Sequence, residues 1–553
     1  MTTTSRTSKG LFKALLSVVL VAGVTVAVAP VATAAPQCQT VGGVKSCIGA
    51  TSDGAAYSMS APLNFNGTAF LYSHGYRPWV DIPAGKIPAG SLAAGYKVNN
   101  LPQPGPLLSG NRTDVIMAML GKGYGVFGSG FLRQGWNAES AVKTNVELIE
   151  IWKKEFPTTK EVVAWGESLG GFITQALHEA HPELVDAVAP LCAVSGSIEA
   201  SMKSGGDALW LLKTFFDNTI VGHNYKAGAE GVDQAVADIQ KIFALAPQIQ
   251  ASLVTGAWPK TSGAVGTVLA AIPPRSALLL TGLAAGLPPQ SNSFDGTTGP
   301  GPRDSSGYSS FAIAASPALA MLENIIEAGV LGVLVTHDLE SQLGGAFFDN
   351  TATNYGALIE EERVIYNLGL SGDDSINGML AVLGNPAVAP RWTADATAAA
   401  NMKKMLVHKG VFTKPTITMH GVADPAVSVG NMAWLINRGE AQYRKDVAAA
   451  SKGTGTRASR KVLPLINVTV DEYTTFTGAL PNQKAPGTTN GTGHCNFTTA
   501  QYLAVADLAA MAAKSGRVPS NAAASRVIRK VGNLVIDRDY VLPLQKFYGG
   551  AID

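Results

Sequence analysis

Charge is scarce in this chain of 553 residues: Asp, Glu, Lys and Arg together make up 15%, and the net charge is +2. There is no long basic run, so nothing points to nucleic acid or another acidic polymer as a partner. There is no C-x-x-C pair and no P-loop signature, which removes the usual thiolate metal spacing and the usual phosphate cradle. Internal repeats are also absent. Histidine occurs only eight times and cysteine only four, so candidates for either chemistry can be weighed one by one. What is plentiful is apolar: hydrophobic residues make up 46%. That is a globular composition with ample core, enough for one large domain or two or three ordinary ones.

The first residues read as a targeting segment. Arg6, Lys9 and Lys13 precede the apolar run Leu15–Val28, and Ala32-Thr33-Ala34 supplies a small-residue exit. The expectation is a secretory signal peptide over 1–34, cut before Ala35; the small exit argues against an uncleaved anchor. All four cysteines follow that cut. An even number in an exported chain suggests two disulfides, and Cys38 and Cys47 are close enough to close a small N-terminal loop. Cys192 and Cys495 remain. Val265–Leu287 is apolar but broken by Pro273-Pro274-Arg275, so no stable membrane span is expected once the leader is gone.

The stretch Val162–Gly171, V-V-A-W-G-E-S-L-G-G, organises the rest. An apolar run predicts a strand, Phe172–Ala180 predicts a helix, and Ser168 lies between them in G-x-S-x-G, the setting of a nucleophile elbow. A serine at the apex of so sharp a turn adopts a strained backbone, and side chains two positions either side would collide with neighbouring main chain; Gly166 and Gly170 leave room. The backbone N–H of Leu169, at the helix start, would favour a developing oxyanion. The plainer alternative is a structural turn serine.

Before this stretch, Thr68–Ser73 and Tyr124–Gly128 predict strands, and Asp114–Lys122 and Ala141–Phe156 predict helices. After it, Asp186–Leu191 predicts a strand. Such alternation predicts an α/β fold, a mostly parallel sheet with helices on both faces. From about Ser197 to Met402 the pattern turns helical, with stretches at Leu209–Phe216, Val236–Ala246 and Ile313–Val335 and Gly/Pro-rich links such as Gly299–Pro302. Strands are expected again at Pro415–Met419 and at Leu465–Val470, just after Pro464. Helices are expected at Asn431–Asn437 and Thr499–Lys514. The expected layout is a core over 35–196 and 403–514, a mainly helical insertion over 197–402, and an extension over 515–553 packed on the core.

A serine hydroxyl needs a base, and the base needs a third group to orient it. In hydrolases with this elbow the order is Ser, acid, His, with the acid after a later strand and the His in a loop after the last one. Asp424, past the Pro415 strand, and His494, before the final helix, meet these conditions; Asp471 and Glu472 are alternative acids. Among the other histidines, His74 would shape the oxyanion loop, His178 and His181 lie on or after the elbow helix, and His223 and His337 fall in the insertion. His408 lies in a helical stretch, and His420 ends the strand that carries the acid, where a packing role is expected. The second oxyanion donor is expected in Ser73-His74-Gly75-Tyr76, from the backbone N–H of Tyr76 or Gly75; the alternative is that His74-Gly75 is only a tight turn.

With S-H-G-Y at 73–76, G-E-S-L-G at 166–170, G-V-A-D at 421–424 and G-H-C at 493–495, the chain resembles the α/β-hydrolase superfamily over roughly Ala61–Leu191 and Lys414–Lys514. The resemblance implies an α/β-hydrolase fold with the insertion in the place of a cap, and acyl transfer to water through an acyl-serine. It implies no metal and no organic cofactor. G-H-C also resembles secreted members such as the tannase and feruloyl-esterase group, where a cysteine after the catalytic His joins a disulfide. In that group the partner precedes the nucleophile; here Glu167 stands there, and the expected partner of Cys495 is instead Cys192. The expected substrate is a small-molecule or polymeric ester, apolar in part, since apolar lids commonly cover apolar groups and the insertion carries Trp210, Phe215, Phe216, Phe243, Trp258 and Leu278–Leu280; the plainer alternative is that most of these residues pack the insertion's own core. A prolyl-oligopeptidase-like or aminopeptidase-like peptidase would share the triad, although no propeller repeat and no acidic pair for a substrate amino terminus stand out. An inactive secreted binding protein on the same fold is the remaining alternative.

Overall fold

A computed structural model describes residues 35–85, 95–106, 113–291, 294, 310–454, 458–467 and 491–536. The leader at 1–34, the Gly299–Pro302 link, Asp471, Glu472 and the tail beyond 536 lie outside the described residues. The strands are β1 Gln37–Val41, β2 Val44–Ala50, β3 Ala56–Pro62, β4 Thr68–Ser73, β5 Gly125–Ser129, β6 Glu161–Glu167, β7 Ala187–Leu191, β8 Thr416–Gly421, β9 Val462–Asn467 and β10 Leu534–Val535. They form one mixed sheet in the order β1-β2-β3-β5-β4-β6-β7-β8-β9-β10. The middle, from β5 through β4, β6, β7 and β8 to β9, is parallel. The N-terminal β1–β3 and the C-terminal β10 join antiparallel at the two edges.

Alternation within the strands decides what each face meets. Ala69 and Leu71 of β4 enter one cluster with Val162 and Ala164 of β6, while Phe70 and Tyr72 enter another with Val163 and Trp165. Because both faces are covered, all six residues of β4 are buried, as central parallel strands require. The first face is covered by helices α2 Ala138–Glu155 and α3 Leu169–Ala180, the second by α1 Thr113–Gly121 and α11 Thr499–Ser515. Thr498 and Gln501 close a capping box at the start of α11, a device worth about 1 kcal/mol.

Between β7 and β8 the regular elements of the described residues are all helical. The main ones are α4 Ile198–Phe215, α5 Ala229–Thr255, α6 Pro274–Ala284, α7 Ser310–Leu343, α8 Asp373–Leu383 and α9 Ala396–Met402. They have an apolar cluster of their own. Helix α7 belongs to two clusters: Met321, Ile325 and Val333 pack inside the helical region, and Val335, Leu339 and Leu343 pack with Phe172 and Ile173 of α3. Its Pro317–Leu343 stretch is long and apolar enough to cross a membrane by length and composition, and its most apolar window is 61% buried inside the protein. It overlaps the apolar Ile313–Val335 stretch that the sequence marks as helix. The double packing is a sufficient reason for its composition, since a helix covered on all sides is apolar all round.

Three local expectations are corrected. The last parallel strand among the described residues begins at Val462 rather than Leu465, so Pro464 lies inside it; residues 468–470 of the expected strand lie outside the described residues. The helix after Asp424 continues to Ser451 as α10 Gly430–Ser451. His408 is in a loop without helix, held by its main chain to Gly196 O at 2.8 Å. A short helix α12 Asn521–Ile528 and β10 place the described part of the C-terminal extension against β9 and α11.

Candidate functional site

The parallel strands all end on one side of the sheet, where open α/β sheets gather their ligands. Register puts Ser73 beside Gly166 and Glu167 beside Leu191, so the residues just after β4, β6, β7 and β8 converge. Ser168 is the turning point between β6 and α3. Its φ of 58° and ψ of −123° lie outside the regions a non-glycine residue takes freely. Its N–H donates to Leu191 O at 3.0 Å and its carbonyl accepts Phe172 N–H at 3.2 Å, the first helical bond of α3. A Cβ on Gly166 would stand 2.5 Å from Ser73 O, and one on Gly170 only 1.9 Å from the same oxygen. Both obstacles are main chain, so neither can give way. A Cβ on Gly75 would meet Glu167 O at 3.3 Å and Ser168 Cβ at 3.4 Å; the 73–76 loop therefore lies directly on the elbow, with the Leu169 N–H at the start of α3 beside it.

His74 is buried, and its Nδ1 and Nε2 lie 2.7 Å from Gly75 O and 3.2 Å from Gly130 O. Burial, with Arg77 nearby, lowers its pKa to about 3, so it is neutral at working pH and braces the loop through its single N–H.

Asp424 lies three residues beyond the end of β8 and is 1% exposed. Its Oδ1 accepts the N–H groups of Ala426 and Val427, both at 2.9 Å. His494 Nδ1 lies 2.8 Å from Asp424 Oδ2 and 3.0 Å from Oδ1. With Nδ1–H donating to the carboxylate, Nε2 is left to take a proton. Burial lowers the pKa of His494, but the Asp424 charge and hydrogen bond, with Glu327 and Glu167 behind them, outweigh it and raise the pKa above the ordinary 6.5. The two loops are stitched together by Ala423 N–H to Gly491 O and Gly493 N–H to Ala423 O, both 3.0 Å.

The disulfide Cys192–Cys495, with Cα atoms 5.4 Å apart, fastens the residue after His494 to the end of β7. Cys192 N–H donates in turn to Met419 O of β8 at 2.8 Å. The other disulfide joins Cys38 and Cys47 across β1 and β2. Two disulfides are consistent with an extracellular protein. Behind the elbow the buried Glu167 carboxylate accepts the hydroxyls of Tyr72 and Tyr502, which ties α11 to β4 and β6. Two groups of residues have metal-ligand spacing among the described residues, Cys38 with Cys47 and Glu155, and Glu167 with Cys192 and Cys495. Each contains a disulfide, whose sulfurs are not thiolates.

Ser168 opens into a cavity of about 70 Å³ shared by Leu169, Tyr76, Trp136 and the Pro425–Ser428 turn after Asp424. Its far wall comes from the helical region: Ile198, Met202 and Gly205 of α4, Leu287, and Leu331, Gly332 and Val335 of α7. None of the insertion aromatics lines it, in keeping with the reading that most of them pack the insertion's own core. Trp210, Phe215 and Phe216, together with Leu278–Leu280, are buried in the region's own core, with Phe243 and Trp258 packed against it.

The other histidines make structural bonds. His408 Nε2 donates to Phe172 O at 2.9 Å, while Nδ1 accepts Gly196 N–H at 3.3 Å. His178 Nε2 accepts the N–H groups of Thr413 and Lys414. His420 Nε2 lies 2.8 Å from Val427 O. His223 Nε2 lies 3.0 Å from Phe348 O, and His337 stacks on Trp79. Sequence reasoning missed Glu327 of α7, whose charge counts among those that raise the His494 pKa. The available signal was small: Glu323 and Glu327 are the only charges between Leu319 and Val335.

No model of a known protein family matches the chain, and no curated protein matches it. Among solved structures, feruloyl esterase B from Aspergillus oryzae aligns at 13% identity over 86% of this chain and 81% of that one, with a TM-score of 0.34. A Pyrococcus furiosus esterase aligns at 14% identity over 29% of this chain and 55% of that one, TM-score 0.20. A prolyl endopeptidase aligns at 13% identity over 28% of this chain and 22% of that one, TM-score 0.19. At these identities and TM-scores the likenesses are weak.

Proposed function

We propose that the chain is a secreted serine hydrolase of the α/β-hydrolase type that cleaves carboxylic esters, with the helical region between β7 and β8 as a cap over the site. Ser168 is the nucleophile, His494 the base and Asp424 its orienting acid. The observation that carries this reading is the strained Ser168 at the β6–α3 turn, on the same edge of the sheet as the Asp424–His494 pair. In the reaction the Ser168 Oγ–carbon bond forms as the hydroxyl proton passes to His494 Nε2. The ester C–O bond then breaks as that proton goes to the leaving alkoxide, and water repeats the sequence on the acyl-serine. Leu169 N–H and the N–H of Gly75 or Tyr76 are the oxyanion donors. No step calls for a metal or organic cofactor.

The substrate class follows from the cavity. Its walls are mostly apolar, with Ser201, Ser204, Ser428 and Asn431 among them, and its volume is about 70 Å³, which suits a short, largely apolar acyl or aryl group; a polymeric ester would keep its bulk outside. The test pairs a panel of p-nitrophenyl esters of increasing acyl length with aminoacyl and peptidyl p-nitroanilides, each with and without a fluorophosphonate. Inhibitable turnover of the shorter esters is the expected result, and preferential turnover of anilides would replace the esterase reading with a peptidase. Ser168→Ala should abolish turnover with the fold intact, and Asp424→Asn should lower kcat by about four orders of magnitude by favouring the wrong imidazole tautomer. No labelling of Ser168 and no turnover would leave a binding protein.

A further inference from the structure

A glycine inside a helix weakens it, so each one needs a reason. Gly206 of α4 has one: a Cβ there would stand 2.3 Å from the Phe348 ring. Gly231 of α5 has another, with Lys226 O only 1.8 Å from its Cβ position. Gly205 of α4 and Gly332 of α7 have no such reason. Neither has a positive φ. A Cβ on Gly205 would meet Met202 Cε at 3.4 Å and Gly332 Cα at 3.9 Å, and one on Gly332 would meet Leu209 Cδ1 at 3.5 Å and Gly205 O at 3.7 Å. These are ordinary contacts, so the crossing of α4 and α7 admits a side chain at either position. What the two glycines share is the Ser168 cavity. Ser201, Gly205 and Ala208 line it from α4, and Ala328, Gly332 and Val335 line it from α7. Each triplet has the spacing of a single helical face, with the glycine at its middle. The cavity therefore leads from Ser168 into a slot between the two helices.

We infer that Gly205 and Gly332 are specificity-determining residues: the side chains they lack leave the space in which the acyl chain of the substrate lies, between α4 and α7. The inference deepens the esterase reading above and rests on its assignment of Ser168. The order of the chemistry separates the acyl group from the alcohol. The alcohol departs after the first step, and water must then reach the acyl-serine, so the alcohol belongs on the side away from the slot. The acyl group stays bonded to Ser168 Oγ until that water attacks, and a slot walled by two helices can hold it throughout.

The test is kcat/KM on p-nitrophenyl esters from acetyl to octanoyl, and on a second series of acetate esters in which only the alcohol lengthens. It is run on the full chain, Gly205→Ala, Gly332→Ala, Gly329→Ala and Ser168→Ala, beside urea unfolding. Gly329 is also on α7 but is not part of the cavity wall; its Cβ would point at Ile242 and Leu212. In Gly205→Ala and Gly332→Ala the ratio of the longest accepted acyl ester to the acetyl ester should fall about tenfold, the scale on which one carbon in an apolar pocket discriminates. Their unfolding midpoints should not fall, since alanine is the better helix former. Gly329→Ala should keep the acyl-length profile of the unaltered chain. An acyl-length profile unmoved in both cavity variants, or moved equally by Gly329→Ala, overturns the inference and leaves the Ser168 assignment standing. A shift confined to the alcohol series does the same, and so do lowered midpoints in both cavity variants, which would give the glycines a packing reason. Turnover that survives Ser168→Ala, or no turnover in the unaltered chain, overturns the esterase reading and the inference with it.

Discussion

At the residue scale, the elbow is defined by what cannot be added to it. A methyl group on Gly170 would press on the Ser73 carbonyl at 1.9 Å, whereas one on Gly205 would find Met202 Cε at an ordinary 3.4 Å. Gly170→Ala should therefore cost about 3 kcal/mol or more, because two main-chain segments must separate. Gly205→Ala, inside α4, should be neutral or stabilising by up to about 1 kcal/mol. Urea unfolding of the two variants makes the comparison, and equal midpoints would mean that the turn is not confined as described. This spacing was legible because a serine held at φ 58° needs bare neighbours. Asp424 and His494 were legible from chain order, and their side chains meet at 2.8 Å. The wall that α7 gives the Ser168 cavity was not legible: which of its faces turns to the cavity is a matter of tertiary packing that the local sequence does not record.

At the element scale, α7 is the joint between the helical region and the sheet, and Asp338 is its fastening. Its side chain is 0% exposed and pairs with Arg133, whose side chain is 37% exposed. A Cβ on Gly135 would stand 2.3 Å from Asp338 Oδ2, so the 129–137 loop is moulded around this carboxylate. Asp338→Ala would leave the Trp136 N–H without its acceptor and Arg133 without its partner. Discounted for the solvent around Arg133, the loss should be about 2–3 kcal/mol. It should also blur the acyl-length profile, since Leu331, Gly332 and Val335 of the cavity wall lie on the same helix. Unfolding and the ester panel check the two halves, and a destabilised protein with an unaltered profile would separate the fastening from the wall.

Strand β9 shows why one boundary was misread. Pro464 reads as a strand entrance because it cannot donate to a ladder. The carbonyls of Lys461 and Asn467 bond to β8, so the odd-numbered residues face that neighbour and Pro464 faces away. On that side β10 pairs only with Ile466 and Asn467. The missing donor is thus harmless, a matter of tertiary context rather than local sequence.

At the scale of the whole molecule, the parallel middle of the sheet was legible because strand–helix alternation permits little else. The helical region was legible only as a break in that alternation; its cavity wall required knowing which of its apolar residues form its own core. What holds the distant parts of the site in register is the Cys192–Cys495 bond, which closes a sequence separation of 303 residues, against 9 for Cys38–Cys47. If a disulfide acts by restricting the unfolded chain, the long closure should contribute about twice the short one, roughly 5 against roughly 2.5 kcal/mol. The two also differ in what they hold, since only the long one adjoins His494. The double variant Cys192→Ala/Cys495→Ala should lose more stability than Cys38→Ala/Cys47→Ala, and the ester turnover proposed above should fall as the His494 loop slackens. Cys38→Ala/Cys47→Ala, at the far edge strands, should keep its turnover. Urea unfolding and kcat on both variants decide the matter. Equal losses of stability would refute the closure argument, and full turnover without the long disulfide would show that the Ala423–Gly491 and Gly493–Ala423 bonds hold the histidine loop by themselves.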